Sequence, residues 1–397
     1  MSEWPKVRLG EIYDIPSSNG LSRPSAVRGE GYRMINMGEL FAHDIISDIE
    51  MERVKMSDKE KAKFLVKEGD LLFARQSLIA AGAGKCSIIK NVNEPTTFES
   101  HLIRVRLNGD NADSLFYYYY FRLPNTPIKG IVNQCAQAGI RGRDLEKIQI
   151  PLPPLATQRA IAKRLSAYDD LIENNRRRIA ILERMAEQLY KEWFVRRRFP
   201  GHGATAPCTE LPKGWKVERL GNLADISTGK CNREDAEEDG VYPLFDRSQE
   251  TKRSNEWIKD CEAIIVPGEG TSFMPRYYKG KFNLHQRCYC VAPQMEGIGK
   301  YLFYAIMLNR KYFLSVATGA TVPSLRQNNF LSMKIIWPGK ELAKRFDEVA
   351  SRLFSMKLAL QRQNALLARE RDLLLPRLMS GKMAAADARP TGQGVRP

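Results

Sequence analysis

Between residues 155 and 199, apolar side chains recur at Ile161, Leu165, Tyr168, Ile172, Ile179, Leu182, Ala186, Leu189 and Trp193. With Asn175 filling its place, the spacing alternates four and three throughout, the signature of a helix carrying one continuous seam. No Pro or Gly interrupts the run; Pro151, Pro153 and Pro154 precede it, and Pro200-Gly201 ends it. A helix of about 43 residues would extend on the order of 60 Å. A second stripe follows at Leu342, Phe346, Val349, Leu353, Met356, Leu360, Leu367 and Leu374, with Pro376 and Gly381 marking its end. One register places Gln363 and Glu370 on this seam, and the shifted register places Lys357 and Asn364 inside instead. A lone helix with such a stripe must bury it. The simplest solution is an antiparallel pair within the chain, with Asn175 and Asn364 as buried polar residues that fix register.

Elsewhere the pattern shortens to strand length. In the first half, 70–75, 85–90, 101–107 and 148–152 read as strands, with a helix around 112–122. In the second half, 262–267, 276–282, 287–292 and 333–337 read as strands, with a helix around 299–309. The order is the same because the chain repeats. Trp4, Arg8-Leu9-Gly10, Asp14 and Ile15 return as Trp215, Arg219-Leu220-Gly221, Asp225 and Ile226, all displaced by 211 residues. A repeat this long exceeds a solenoid unit and predicts two similar α/β (α+β) domains, each followed by a long helix. The expected layout is a domain at 1–152, a coiled-coil helix at 153–199 and a linker at 200–212. A second domain follows at 213–337, a second coiled-coil helix at 338–382 and a disordered tail at 383–397.

At 397 residues, 43% hydrophobic and 27% charged, the chain is long enough for real cores and is neither disordered nor membrane-spanning in composition. MSEWPKVRLGE has no apolar stretch of the kind a signal peptide needs. Seven widely spaced cysteines without a C-x-x-C fit reduced thiols in a cytoplasmic protein. The four histidines lack metal-ligand spacing. The location of the +16 net charge is more telling. The helical stretches 156–198 and 340–382 carry +5 each, whereas 1–155 carries +2 and 199–339 carries +3. The balance suggests a polyanion partner. The globular parts are so mildly basic that any DNA contact must come from placed residues.

Motifs for catalysis are weak. Gly82-Ala83-Gly84-Lys85 suggests a phosphate loop, but Ile79 and Cys86 stand where that loop needs Gly and Ser/Thr, so it reads as a tight turn. Glu250-Thr251-Lys252 beside Asp246 resembles a nuclease carboxylate-x-Lys pair, yet the segment reads as a surface loop. No Gly-rich loop opens a βαβ unit, and nothing looks like an active site. Tyr117–Tyr120, on a helix, point in several directions and serve mainly packing. Arg176-Arg177-Arg178 and Arg196-Arg197-Arg198 fit either a solvated face or contact with an acidic partner. Polar loops at corresponding places stand out more: Arg75-Gln76-Ser77 against Gly268-Glu269-Gly270-Thr271-Ser272, and 137–143 against 318–328. Arg, Gln, Asn and Ser are the side chains that read base edges. The candidate DNA contacts are therefore Arg75, Gln76, Ser77, Lys85, Arg141 and Arg143 in the first half. In the second they are Lys230, Arg233, Thr271, Ser272, Arg326, Gln327 and Asn328.

The chain resembles the specificity subunits of type I restriction–modification enzymes over about residues 4–382. The most specific part is Ile148-Gln149-Ile150-Pro151-Leu152-Pro153-Pro154-Leu155-Ala156-Thr157-Gln158-Arg159-Ala160-Ile161-Ala162. Residues 167–172, 189–194, 211–215 and 373–382 continue the likeness. One departure is Trp337-Pro338-Gly339-Lys340, which lacks the Pro-Pro-x-x-x-Gln pattern of the first helix start. The resemblance implies two target-recognition domains that read the halves of a split site on double-stranded DNA. The paired helices would set the gap and dock two methyltransferase subunits, which restriction subunits would join. It also implies no cofactor and no catalysis in this chain, since S-adenosylmethionine, ATP and Mg would belong to those partners. A self-contained nuclease and a coiled-coil scaffold without a DNA role are the competing readings.

Overall fold

The computed structural model describes residues 4–24, 27–77, 82–134, 138–201, 210–232, 234–319 and 321–383. The chain forms two compact units: Met1–Asn174 with Gln363–Pro397, and Asn175–Arg362.

In the first unit, strand Lys6–Arg8 pairs antiparallel with Gln149–Pro151, so the start of the globular domain is tied to the strand leading into the first long helix. The main sheet orders Tyr13–Asn19, Leu102–Leu107, Leu71–Ala74, Cys86–Ile89 and Ile45–Ile46. Its first three pairings are antiparallel and the last is parallel. Helix Ser114–Phe121 lies in the core beside it, with Phe116, Tyr117, Tyr118 and Tyr119 buried. Most of the tyrosine run therefore serves packing. A further sheet of Glu52–Val54, Arg28–Ile35 and Thr96–Phe98, which the hydrophobic pattern does not predict, adds to this unit.

The second unit repeats the scheme. Lys216–Arg219 pairs with Lys334–Trp337. The main sheet orders Ala224–Thr228, Cys288–Pro293, Lys259–Pro267, Arg276–Leu284 and Tyr242–Phe245, with the same senses as in the first, and Thr251–Ser254 closes its edge. Helix Gly299–Leu308 takes the place of Ser114–Phe121. Two glycines show how closely the scaffolds correspond. A Cβ on Gly20 would sit 2.0 Å from the Phe98 carbonyl oxygen, and one on Gly229 would sit 1.8 Å from that of Leu284. Only a residue without a side chain fits this crossing of backbones.

The long helices are Leu155–Tyr190, continued by a wider π turn over Lys191–Val195, and Lys340–Met379. In the first unit the start of one helix packs on the end of the other. Tyr168 and Ile172 meet Leu367 in a small apolar cluster, and Leu375, Leu378 and Met379 enter the core of the globular domain. In the second unit the end of the first helix supplies Tyr190, Trp193 and Phe194 to an aromatic cluster with Tyr301 and Phe346. Of the seam expected on the first helix, Ile161, Leu165, Tyr168, Ile172, Asn175, Leu182 and Trp193 are buried, while Ile179 and Leu189 are half-buried.

The second helix uses the shifted register. Val349 and Met356 are exposed, which corrects their place on the seam. Phe346, Ala350, Leu353, Lys357, Leu360, Asn364, Leu367, Arg371 and Leu374 line the inner side, each buried or half-buried. The polar members find partners on the facing helix. Lys357 Nζ lies 2.6 Å from Glu183, the Asn364 amide donates to the Ile172 carbonyl at 3.3 Å, and Arg371 pairs with Asp169. Pro376 does not end this helix; it lies inside the last turns, and Gly381, with φ at +67°, terminates the chain of helical bonds. Pro376 brings no N–H to the Asp372 carbonyl one turn back, a loss that the exposed position of both residues permits.

Candidate nucleic-acid interface

Each globular domain brings its two polar loops together by the same backbone contacts. In the first, Gln76–Ser77 pairs with Ala138–Gly139, the Arg75 N–H donates to the His101 carbonyl at 2.8 Å, and the Ile140 N–H donates to the Arg75 carbonyl at 2.9 Å. In the second, Glu269 bridges Ser324, the Gly268 N–H donates to the Arg287 carbonyl at 2.8 Å, and the Leu325 N–H donates to the Gly268 carbonyl at 2.8 Å. Arg75 thus corresponds to Gly268, Gln76 to Glu269, His101 to Arg287 and Ile140 to Leu325.

The side chains on this shared frame differ. Gln76 Oε1 lies 2.8 Å from His101 Nδ1, and the half-buried Arg75 reaches the Ser100 carbonyl at 3.5 Å. Ser77 is half-buried at the end of its strand, whereas Arg141 and Arg143 project from the start of a short helix, exposed and without an ion pair among the described residues. In the second domain the Arg247 guanidinium lies 2.6 Å from Glu269 and Arg287 pairs with the same carboxylate. Burial works to raise the Glu269 carboxyl, but the hydrogen bonds and charges of Arg287 and Arg247 outweigh it and hold it below its usual value. Thr271 and Ser272 are exposed on the loop, which the buried Phe273 anchors. Lys230, Arg326 and Asn328 are exposed as well.

Two of the expected contacts, Lys85 and Gln327, are engaged within the fold. Lys85 is held within its own domain, donating to the Phe41 carbonyl at 2.8 Å and lying 3.2 Å from Asp44. The Gln327 amide donates to the Ile226 carbonyl at 2.8 Å and so braces a short helix against the sheet. Arg233 and Gln137 lie outside the described residues, as does the tail from 384. Arg247, Arg287 and His101 were not among the expected contacts. They sit at strand ends, where a sequence pattern marks only the strand, and the tertiary pairing alone brings them to the loops.

The carboxylate-x-Lys segment is a clamp. Lys252 lies 2.6 Å from Asp246, and Ser248 donates to the same carboxylate through its hydroxyl at 2.6 Å and its N–H at 2.9 Å. Burial favours the neutral acid, yet these hydrogen bonds prevail and hold the Asp246 carboxyl at about 2. The clamp closes the hairpin joining Tyr242–Phe245 to Thr251–Ser254. Among the described residues no group of three or more His, Cys, Asp or Glu is placed to share a metal ion, and no helix is long and apolar enough to cross a membrane.

Two domains on one scaffold, each presenting a differently furnished loop pair, define a protein built to hold two distinct polar surfaces. Residues 1–184 and 212–363 match the family described as the type I restriction modification DNA specificity domain, and the chain belongs to that family. The EcoDI specificity subunit of Escherichia coli is 30% identical over 178 residues, which is 44% of this chain and 40% of that protein. The MjaIX specificity subunit of Methanocaldococcus jannaschii is 24% identical over 376 residues, covering 84% of this chain and 83% of its own length. The solved S subunit of a type I restriction–modification system from M. genitalium shares the fold. Its TM-score is 0.58 at 16% identity, over 94% of this chain and 96% of that one.

Proposed function

We propose that this chain is the DNA-recognition subunit of a type I restriction–modification enzyme, with each globular domain reading one half of a bipartite target. The observation that carries the reading is the repeated loop bridge, Arg75–Ile140 and Gly268–Leu325, which keeps its backbone bonds while its side chains change. A common frame with different polar groups is what two readers of different sequences need. One chain holding both readers raises the effective concentration of the second at its half-site. The long helices set the gap between half-sites and carry the docking surfaces for two methyltransferase subunits, to which restriction subunits add. The basic faces of these helices, Arg176-Arg177-Arg178 among them, supply contacts to phosphate or to acidic partner surfaces. S-adenosylmethionine, ATP and Mg belong to those partners; this chain takes no catalytic step and works in the cytoplasm. The Lys252–Asp246 clamp argues against a nuclease here, because the lysine is already engaged in holding a hairpin.

The test is co-expression with the cognate methyltransferase subunit, followed by mapping of methylated adenines. A two-part motif with a fixed gap is expected; methylation at a single uninterrupted site, or none above background, overturns the reading. Inserting matched heptads into both helices is expected to lengthen the gap while leaving each half-site unchanged. An unchanged gap would refute the helices as its ruler.

A further inference from the structure

We infer that Glu269, Arg247 and Arg287 form a preset guanine-reading fork in the second domain. The inference rests on the DNA-recognition reading above and assigns the base that one of its surfaces selects. The carboxylate of Glu269 is only 14% exposed, whereas the Arg247 and Arg287 side chains are 48% and 56% exposed. The acid is therefore set into the surface and the two guanidinium groups stand out from it. Each guanidinium has five N–H donors, and the contact with Glu269 is the one side-chain hydrogen bond that either makes among the described residues. Arg247 and Glu269 line an open cleft of about 370 Å³ together with Asp246 and His285, and Arg287 is joined to that lining through its pairing with Glu269.

Position and chemistry both favour a base over a phosphate. Glu269 lies on the loop bridge itself, paired with Ser324, so the fork stands where the two polar loops meet. The Glu269 carboxylate offsets one of the two positive charges and so weakens the pull on phosphate, while it fixes the guanidinium planes and lowers the ordering cost of a bidentate contact. The O6 and N7 acceptors of guanine in the major groove match that geometry. In the first domain the corresponding pair is Gln76 with His101, which offers an amide and an imidazole and no guanidinium. This particular guanine contact therefore has no counterpart at the corresponding place of the first domain.

The experiment uses the full chain in complex with its methyltransferase subunit. Once the wild-type motif is mapped, duplexes carrying 7-deazaguanine at single positions of the second domain's half-site remove N7 while keeping the base pair. The wild-type complex is expected to bind at least one such duplex about ten-fold or more weakly. Arg287→Lys or Arg247→Lys keeps the charge but loses the fork, and is expected to bind normal and substituted duplexes alike. The mapped motif should then relax at that guanine, with the other half-site and the gap unchanged. Glu269→Gln frees both arginines without removing them and should give a smaller loss at the same position. Three results overturn the fork: a second half-site without any G·C pair, wild-type binding insensitive to every 7-deazaguanine, or lysine variants that weaken binding evenly across sequences with the motif intact, as phosphate contacts would. A wild-type complex that methylates no bipartite motif would instead refute the recognition reading, and the fork with it.

Discussion

The two junctions where a globular domain meets its long helix solve one problem with different atoms. In the first, helix Ser114–Phe121 is capped by its own neighbour, with the Asp113 carboxylate accepting from the Phe116 N–H at 2.8 Å. The buried amide of Gln158, on the long helix, then accepts from the Asp113 N–H at 2.8 Å and donates to the Asn111 and Pro153 carbonyls at 3.0 and 2.8 Å. In the second, Ile298 precedes helix Gly299–Leu308 and offers no capping side chain. Asp347, from the long helix, accepts directly from the Lys300 N–H at 2.6 Å and pairs with the Lys300 ammonium at 3.0 Å. Thus the missing Gln pattern after Trp337-Pro338-Gly339-Lys340 reflects a changed cap. Ala343 occupies the place that corresponds to Gln158, and an acid one turn further along does the work. Orphan N–H groups at a helix start must be satisfied, but the partner can come from either side of the interface.

This difference predicts that the second junction is the more fragile. Lys300 and Asp347 are 8% and 5% exposed, so Asp347→Ala strands a buried ammonium and an unpaired N–H. A loss of about 3 kcal/mol is expected, at the low end for breaking a buried ion pair, because Glu262 at 3.7 Å and the Tyr277 hydroxyl at 3.0 Å still face the ammonium. Urea unfolding followed by tryptophan fluorescence will report it, since Trp193, Trp215, Trp257 and Trp337 all lie in the second unit. Replacing both charges, as in Asp347→Ala with Lys300→Met, should recover most of the loss. About 1 kcal/mol should persist from the N–H still lacking an acceptor. Full recovery would show that the capping bond contributes nothing.

The matching change at the first junction is Gln158→Ala. It leaves one N–H and two carbonyls without their partner in a part-buried site, yet strands no charge. A loss of about 2 kcal/mol is expected, read as faster hydrogen exchange in helix Ser114–Phe121. A loss as large as that of Asp347→Ala would break the comparison, since it would place the burden on neutral bonds.

How much of this was open to a reader of the sequence depends on the range of the interactions. The first long helix and the main-sheet strands announce themselves through spacing, because each buries a local stripe. The 211-residue repeat foretells the doubled scaffold. The register of the second helix does not emerge, since Lys357, Asn364 and Arg371 look like surface residues until Glu183, the Ile172 carbonyl and Asp169 face them. The loops that carry the candidate interface are legible by composition. Their tethered members are not: Gln327 and Lys85 look as available as Arg141 or Arg326 until the strand carbonyl or the carboxylate that holds them is in place. Arg287 lies hidden at a strand start for the same reason.

One element is common to both junctions. Tyr117 donates to the Pro151 carbonyl at 3.0 Å, and Tyr301 donates to the Ile336 carbonyl at the corresponding place. Both tyrosines are fully buried, and each carbonyl belongs to the strand that closes its domain before the long helix begins. Removing either hydroxyl leaves the ring packing intact and deprives one strand carbonyl of its donor, so Tyr117→Phe and Tyr301→Phe should each cost about 1 kcal/mol. Their near equality is the point of the measurement. If the tyrosine is the part of the scaffold that the repeat retains, the two losses should agree within about 0.5 kcal/mol, the scatter usual for such bonds. The caps beside them would then differ while the tether stays the same. A Tyr301→Phe loss well above that of Tyr117→Phe would instead show that the aromatic cluster around Tyr301, with Tyr190 and Phe194 against its ring, depends on the hydroxyl to hold its arrangement, and the two junctions would share a residue without sharing its role.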